Sequence, residues 1–318
     1  MSDTSIKSFH SLTLENPGFA TDPRFWTANH LSMVNCSFQE IETDEAHDFG
    51  ALDSRAAESL AYSAKKVAVT AALFGSRFPW ADNLLYRNDR GPITSSESPL
   101  TFHYGRRRVR LADSNVHTYR IKEEISIPHA DPMIGYYEYR ADEERREKLR
   151  APRPPRGLNN DPVQRKYDIR YHMVAPKDWR HDPFLVCILL SLAQLQRRKA
   201  YGPRGLFLAR LLVTNQADTT NAYVYKADIP YQLLESLDCP TRSIEDFDFP
   251  PVNYVKIPFE PYLTFSDRIH VHLAGMEYSS PGPVLSNQVV PPQSQEKKRK
   301  KRKRHDESRS GRQRRHIA

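Results

Sequence analysis

The densest chemistry-bearing segment of the chain is Lys177-Asp178-Trp179-Arg180-His181-Asp182. Carboxylates, an imidazole and cations this close together are the groups that general acid–base catalysis requires, with one group holding another in place while the proton moves. His172 lies just upstream and widens the set. A structural reading competes. Asp182 directly before Pro183 is the pattern of a helix N-cap with proline at the first helical position. The structural reading is favoured, and Lys177, Asp178, Arg180, His181 and Asp182 stand as a candidate polar cluster.

Other groups carry less. Arg106-Arg107-Arg108-Val109-Arg110, beside His103 and Tyr104, has the composition of a phosphate-binding strand edge. The same residues suit a solvated strand balanced by Glu123 and Glu124, and that reading is preferred because clustered arginines usually line solvated faces. His270 and His272 would share a face on a strand and diverge on a helix. A helix is expected there, no third ligand is close in sequence, and no metal site is expected. Cys36, Cys187 and Cys239 are odd in number, far apart and form no CxxC pair, which fits reduced thiols in an intracellular compartment. Cys187 sits in the most apolar stretch and reads as an inert buried thiol. GxxxxGK, GxGxxG, GxSxG and HExxH are absent, so no cofactor is expected and no catalytic residue is assigned.

Charge divides the chain. Of 47 Lys+Arg, 12 lie in Lys297–Ala318 against Asp306 and Glu307, so that segment carries +10 and residues 1–296 carry −2. The run Lys297-Lys298-Arg299-Lys300-Lys301-Arg302-Lys303-Arg304 is the strongest functional signal. Adjacent cations repel, stay extended, and can thread the acidic groove of a nuclear import receptor or neutralise phosphates. Contact with nucleic acid through this run would be salt-sensitive and blind to sequence, because no aromatic residues interleave it. The nearly neutral body has no global electrostatic reason to bind nucleic acid. The longest apolar stretch, Phe184–Ala193, is too short to span a bilayer, and the first 25 residues lack an apolar core of the kind that directs secretion.

The elements that must position these groups read as an α+β core. Residues 1–23 are expected to be a loose terminus. Leu60, Ala64, Val67, Ala71 and Phe74 draw one stripe and predict a helix over Ser54–Phe74, with Asp53 as N-cap and Gly75 as the stop. His117–Ile121 and Ile125–Ile127 read as strands, with a turn at Asp113–Asn115. Arg140–Arg150 reads as an exposed helix. Pro152, Pro154, Pro155 and the following residues mark a linker or insertion loop over 150–165, between an N-terminal region (24–149) and the core (166–275). Tyr167, Ile169, Tyr171 and Met173 alternate with polar residues and predict a half-buried strand. Phe184–Leu195 is apolar nearly all round and predicts a central buried helix on a small mixed or antiparallel sheet. Leu206–Thr214 and Tyr223–Tyr225 follow as paired strands, then a short helix from Pro230 to Leu237. Pro240–Pro261 should wrap the surface in extended form, and Phe265–Leu273 should be a last helix. Residues 276–318 are expected to be disordered.

The pattern Lys177–Leu185, Ala193–Gln196, Leu211–Thr214, Tyr223–Tyr225 and Leu237–Ser243, ending near Thr264–Arg268, resembles a family of uncharacterised fungal proteins. It covers about a third of the chain and brings no activity or cofactor. A weaker similarity is to PD-(D/E)XK nuclease folds, which also place a helix before two strands. Their chemistry needs an acid on one strand and a (D/E)xK triplet on the next, so that carboxylates hold a divalent metal and the lysine assists the attacking water. No lysine in 1–296 has Asp or Glu two residues before it, and the only such triplet is Glu296-Lys297-Lys298. The similarity therefore implies an inactive or rearranged member.

The leading expectation is a nuclear, non-enzymatic binding or regulatory protein with an import receptor and an unknown protein as partners, no membrane, and loose nucleic-acid contact through the basic run. One alternative is a divergent or inactive nuclease-like enzyme. Another is a small-molecule-binding accessory protein using the aromatic stretches at Tyr136–Tyr139 and Tyr223–Tyr231.

Overall fold

The computed structural model describes residues 8–42, 54–69, 76–87, 91–96, 98–111, 115–126, 131–149, 160–199, 205–244 and 249–275. The basic run Lys297–Arg304 and the rest of 276–318 lie outside them, as do Pro152–Asn159, Asp53 and Ala71–Gly75. Along the chain come α1 (Phe9–Glu15), α2 (Ala28–Met33), β1 (Phe38–Glu40), α3 (Ser54–Val69), α4 (Phe78–Tyr86), β2 (Ile93–Ser95), β3 (Thr101–Tyr104), β4 (Arg107–Arg110) and β5 (Val116–Ile121). Then follow β6 (Met133–Tyr139), α5 (Ala141–Lys148), α6 (Asp161–Val174), α7 (Pro183–Lys199), β7 (Leu206–Asn215), β8 (Asn221–Pro230), α8 (Tyr231–Asp238), β9 (Val252–Pro258) and α9 (Tyr262–Leu273).

These elements make an α+β fold around a sheet in the order β1-β9-β8-β7-β6-β5-β2, with β3 and β4 as a separate hairpin. The sheet is mixed. β6 runs parallel to β7, and β1 to β9, while the other neighbours are antiparallel. Seven strands make it larger than the small sheet expected from sequence. Strands from both sides of residues 150–159 lie next to each other in it, because β6 pairs with β7 from Met133↔Ala209 to Tyr139↔Asn215.

Both faces of the sheet are covered. On one side α7 packs with α1, α2, α8 and the β3–β4 hairpin; on the other lie α3, α4 and α9. Strand β7 shows why its sequence is a continuous apolar run: Leu211 and Val213 belong to the first core, and Leu212 to the second. In α7 every residue from Pro183 to Gln196 is buried, and Arg197–Lys199 complete its last turn, where cations suit the dipole. Gly135 lets this helix seat on β6. A Cβ there would stand 2.9 Å from Leu211 Cδ1 and 3.0 Å from Leu192 Cδ1.

Several expectations are corrected. Residues 8–23 are not loose. Ser8 caps α1 through Ser11 N–H, and Phe9, Leu12 and Phe19 are buried in the core. Tyr167–Met173 is helix α6, not a strand. Tyr167 and Tyr171 are one turn apart and buried, while Ile169 and Met173 are 61% and 71% exposed, so a four-residue repeat had the look of alternation. Asn160 caps α6, which places 160–165 of the expected linker at a helix start. Residues 252–258 are not a surface wrap but strand β9, with Val252, Tyr254, Val255 and Ile257 buried. Ile125, the first residue of the strand expected at Ile125–Ile127, ends a 3-10 turn over Glu123–Ile125, and Ile127 lies outside the described residues. Helix α5 forms within 140–150, yet Arg145 is fully buried.

Candidate functional site

The Lys177–Asp182 segment divides rather than converging. Asp182 caps α7: its Oδ1 accepts the Phe184 N–H at 2.9 Å. The same carboxylate receives Arg145 Nη1 at 2.7 Å, Arg145 Nη2 at 2.5 Å and the Tyr139 hydroxyl at 2.8 Å. Arg145 Nε donates to Arg24 O at 2.6 Å. Both charged side chains are fully buried. Burial alone would lower the proton affinity of the Arg145 guanidinium, but the hydrogen bonds and charge of Asp182 outweigh it and hold the cation firmly protonated. Every strong acceptor site on Asp182 is therefore taken inside the protein.

Asp178 points elsewhere. It caps the short turn Trp179–His181 and holds Arg180, with Arg180 Nη2 donating at 2.7 Å. That hydrogen bond is the main reason its carboxyl sits below the usual range. His181 stacks on Phe38 at 5.4 Å and meets the Tyr254 hydroxyl at 3.4 Å, while Lys177 is exposed. His172 lies on the exposed side of α6. Neither histidine bonds Asp178 or Asp182, so no acid–base pair forms there among the described residues.

A second carboxylate was missed in the sequence. Glu138, the last but one residue of β6, lies beside the end of β7 and is nearly fully buried. Gln216 Nε2 donates to its Oε1 at 2.7 Å. The Arg77 N–H and the Ser76 hydroxyl each donate to Oε2 at 3.3 Å, and Arg140 Nη2 lies 3.5 Å from Oε1. The buried Arg77 guanidinium donates to Asn215 O at 2.9 Å. Glu138-Tyr139-Arg140 is an acid–x–cation triplet whose acid lies on β6 and whose cation is the N-cap of α5, and the spacing is visible in the sequence once arginine is allowed in place of lysine. A divalent metal does not fit. The Glu138 oxygens face N–H, O–H and guanidinium donors, which repel a cation, and no group of three metal-ligating side chains occurs among the described residues.

The remaining sequence candidates also resolve. His270 and His272 lie on α9 as expected of a helix and turn apart: the His270 ring nitrogens face Ser266 O at 2.7 Å and Leu85 O at 3.1 Å, and His272 Nδ1 meets Lys226 Nζ. Cys187 is buried, and burial pushes its thiol well up. Tyr136, Tyr137, Tyr139, Tyr223 and Tyr225 are buried in the core. A cavity of about 190 Å³ lies between the N-terminal helices and the β3–β4 hairpin, lined by Phe19, Trp26, Phe102 and Val109 among others. No helix among the described residues is long and apolar enough to cross a membrane.

The arginines of β4 fare differently from the expectation. Glu123 pairs with Arg120, not with them. Arg106, Arg107, Arg108 and Arg110 are exposed and have no carboxylate partner among the described residues. Gln194 of α7 fixes the hairpin against the helix: its Oε1 accepts the His103 N–H at 3.0 Å and its Nε2 donates to His103 O at 2.8 Å. His103 pairs with Arg108 across the hairpin, and Arg198 Nη1 lies 2.5 Å from His103 Nε2. A guanidinium only donates, so this ring nitrogen accepts and the imidazole is neutral. Partial burial, then Arg198, Arg108 and Arg197, lower its pKa.

No family model matches the chain, and no curated protein matches it.

Proposed function

We propose that the chain is a non-enzymatic binding protein that reaches the nucleus on its Lys297–Arg304 run, which an import receptor reads and which adds loose, salt-sensitive contact with nucleic acid. The observation that carries the non-enzymatic part is the state of the carboxylates at the end of the sheet. Asp182 is saturated by Arg145 and Tyr139, Asp178 by Arg180, and Glu138 by donors from three segments. A general acid or base must be free to exchange a proton with a substrate, and these are already committed to internal donors. The charge division between Lys297–Ala318 and the rest supports the import part. The test is a fluorescent fusion of the full chain with every cation from Lys297 to Arg304 replaced by glutamine. Loss of nuclear accumulation is expected, and undiminished accumulation overturns the import reading.

The Glu138-Tyr139-Arg140 triplet favours a second reading, a nuclease-like scaffold that has lost its chemistry. It has the acid at the end of a sheet strand, but arginine stands where the catalysis requires lysine, and the carboxylate is closed to metal. The expected result is no cleavage of DNA or RNA with magnesium or manganese. Metal-dependent cleavage abolished by Glu138→Gln would restore an enzymatic reading.

A further inference from the structure

Many arginines in the described body are paired with a carboxylate, but a group on β4 and at the end of α7 is not. Arg108 and Arg110 lie two residues apart on β4, so they share one face about 7 Å from each other. Arg198, near the end of α7, meets His103, the cross-strand partner of Arg108, and Lys199 follows it in the last turn. All four are exposed, and none has a carboxylate partner among the described residues. Arg198 touches neutral His103, and Lys199 Nζ donates to Ser96 Oγ at 2.8 Å. Burial first, and then the charges of Arg197 and Arg108, lower the proton affinity of Arg198. Of the neighbours, Arg197 alone is neutralised, by Asp238. The fold enforces this crowding: Gln194 clamps β3 to α7, and Val109 packs into the core, leaving its neighbours on β4 facing out.

We infer that β4 and the C-terminal end of α7 form a phosphate-binding face for single-stranded nucleic acid, with Arg108, Arg110, Arg198 and Lys199 as contacts and Tyr231 as a stacking surface. Arginine suits this role because its fork engages two phosphate oxygens at once. Cations at every second strand residue form a row that a phosphodiester backbone, charged at each unit, can follow. Tyr231 is 39% exposed, and Arg197 lies over its ring at 5.8 Å, which extends the row into an aromatic surface of the sort bases stack on. An anionic membrane fits less well, because Arg108 and Arg110 flank a side chain turned inward and offer no apolar residue for insertion. The face is separate in sequence from Lys297–Arg304 and shares with the reading above only the class of partner.

The test uses the full chain with every cation from Lys297 to Arg304 replaced by glutamine, and a fluorescent single-stranded oligonucleotide followed by anisotropy. This chain is expected to bind, with log affinity falling against log salt with a slope of about −3 for four phosphate contacts. Adding Arg108→Gln together with Arg198→Gln is expected to cut affinity about tenfold or more and to reduce the slope by about 1.4. Tyr231→Ala is expected to lower affinity about fivefold or more and leave the slope unchanged. The His103 imidazole, followed by NMR, is expected to titrate at higher pH when the oligonucleotide is bound, because a phosphate between Arg108 and Arg198 offsets the charges that lower its pKa. No binding by the chain that lacks the Lys297–Arg304 cations overturns the inference, as does equal affinity in the arginine double variant; either result leaves the import reading standing. Binding to phosphatidylserine vesicles without binding to the oligonucleotide overturns it in favour of lipid. If the double variant does not fold, the His103 titration decides: an unchanged pKa on adding oligonucleotide overturns the inference.

Discussion

Arg145 and Arg198 each donate to one side chain, and the two settings are opposites. Arg145 is fully buried against Asp182, with a backbone carbonyl and a tyrosine completing the group. Arg198 is exposed, and its partner is an uncharged imidazole. Two histidines repeat the contrast. Full burial beside Arg87 lowers the proton affinity of His270, against two backbone carbonyls that favour the proton; partial burial, and then the surface arginines around it, lower that of His103. In the first region charge is compensated within the fold and its work is structural. In the second the compensation is missing, so the charge stays available to an outside anion.

Four experiments can break or sharpen this contrast. The largest effect is expected from Arg145→Met, which leaves Asp182 charged, buried and unpaired, a loss of about 3–5 kcal/mol in urea unfolding. Adding Asp182→Asn should recover much of it, since asparagine keeps the cap without the charge. Equal losses in the single and double variants would show that the missing Arg145 side chain and its bond to Arg24 O, not an unpaired buried carboxylate, cause the loss.

Next is pH. The folded pKa of His270 is about 3 against an ordinary 6.5, so the unfolded chain takes up a proton that the folded chain refuses. Its contribution is complete above pH 6.5 and drains away as the pH falls toward 3. At pH 5 that amounts to about 2 kcal/mol. His270→Gln should shrink the stability difference between pH 7 and pH 5 by that amount, and an unchanged difference would mean the ring is already charged in the fold.

A smaller loss, about 1 kcal/mol, is expected for Gln194→Ala, which removes both bonds to the His103 backbone. Oligonucleotide affinity should weaken with it, because the hairpin loses its clamp; unaltered affinity would mean that the arginines do not need this register. The smallest effect is expected for Arg198→Gln: a change within about 0.5 kcal/mol, toward stability because a like-charge contact is relieved. A loss above 1 kcal/mol, by thermal unfolding, would place Arg198 with Arg145 as a structural cation.

The elements legible in the sequence share one property: their burial follows from their own pattern. Helix α7 is buried all round and reads so, β7 is buried on both faces and reads so, and α3 shows its stripe at Leu60, Ala64 and Val67. Asp182-Pro183 announced the start of α7 because capping is a contact over two residues. Helix α6 failed because apolar residues at its exposed positions hid the helical period. Strand β9 failed because prolines on either side suggested a wrap, whereas β8 supplies its pairing from Asn221↔Pro258 to Lys226↔Asn253.

The candidate sites divide the same way. By itself the sequence determined that cations cluster at Arg106–Arg110 and at Arg197–Lys199, that acids gather at 178 and 182, and where the central helix begins. Only the tertiary structure decided which of those charges are matched. Asp182 meets an arginine 37 residues away, and His103 meets partners 91 and 95 residues away. Charge compensation is a property of distance in space, and over such separations it is set by the order of strands and the seating of helices, which no local run of residues encodes.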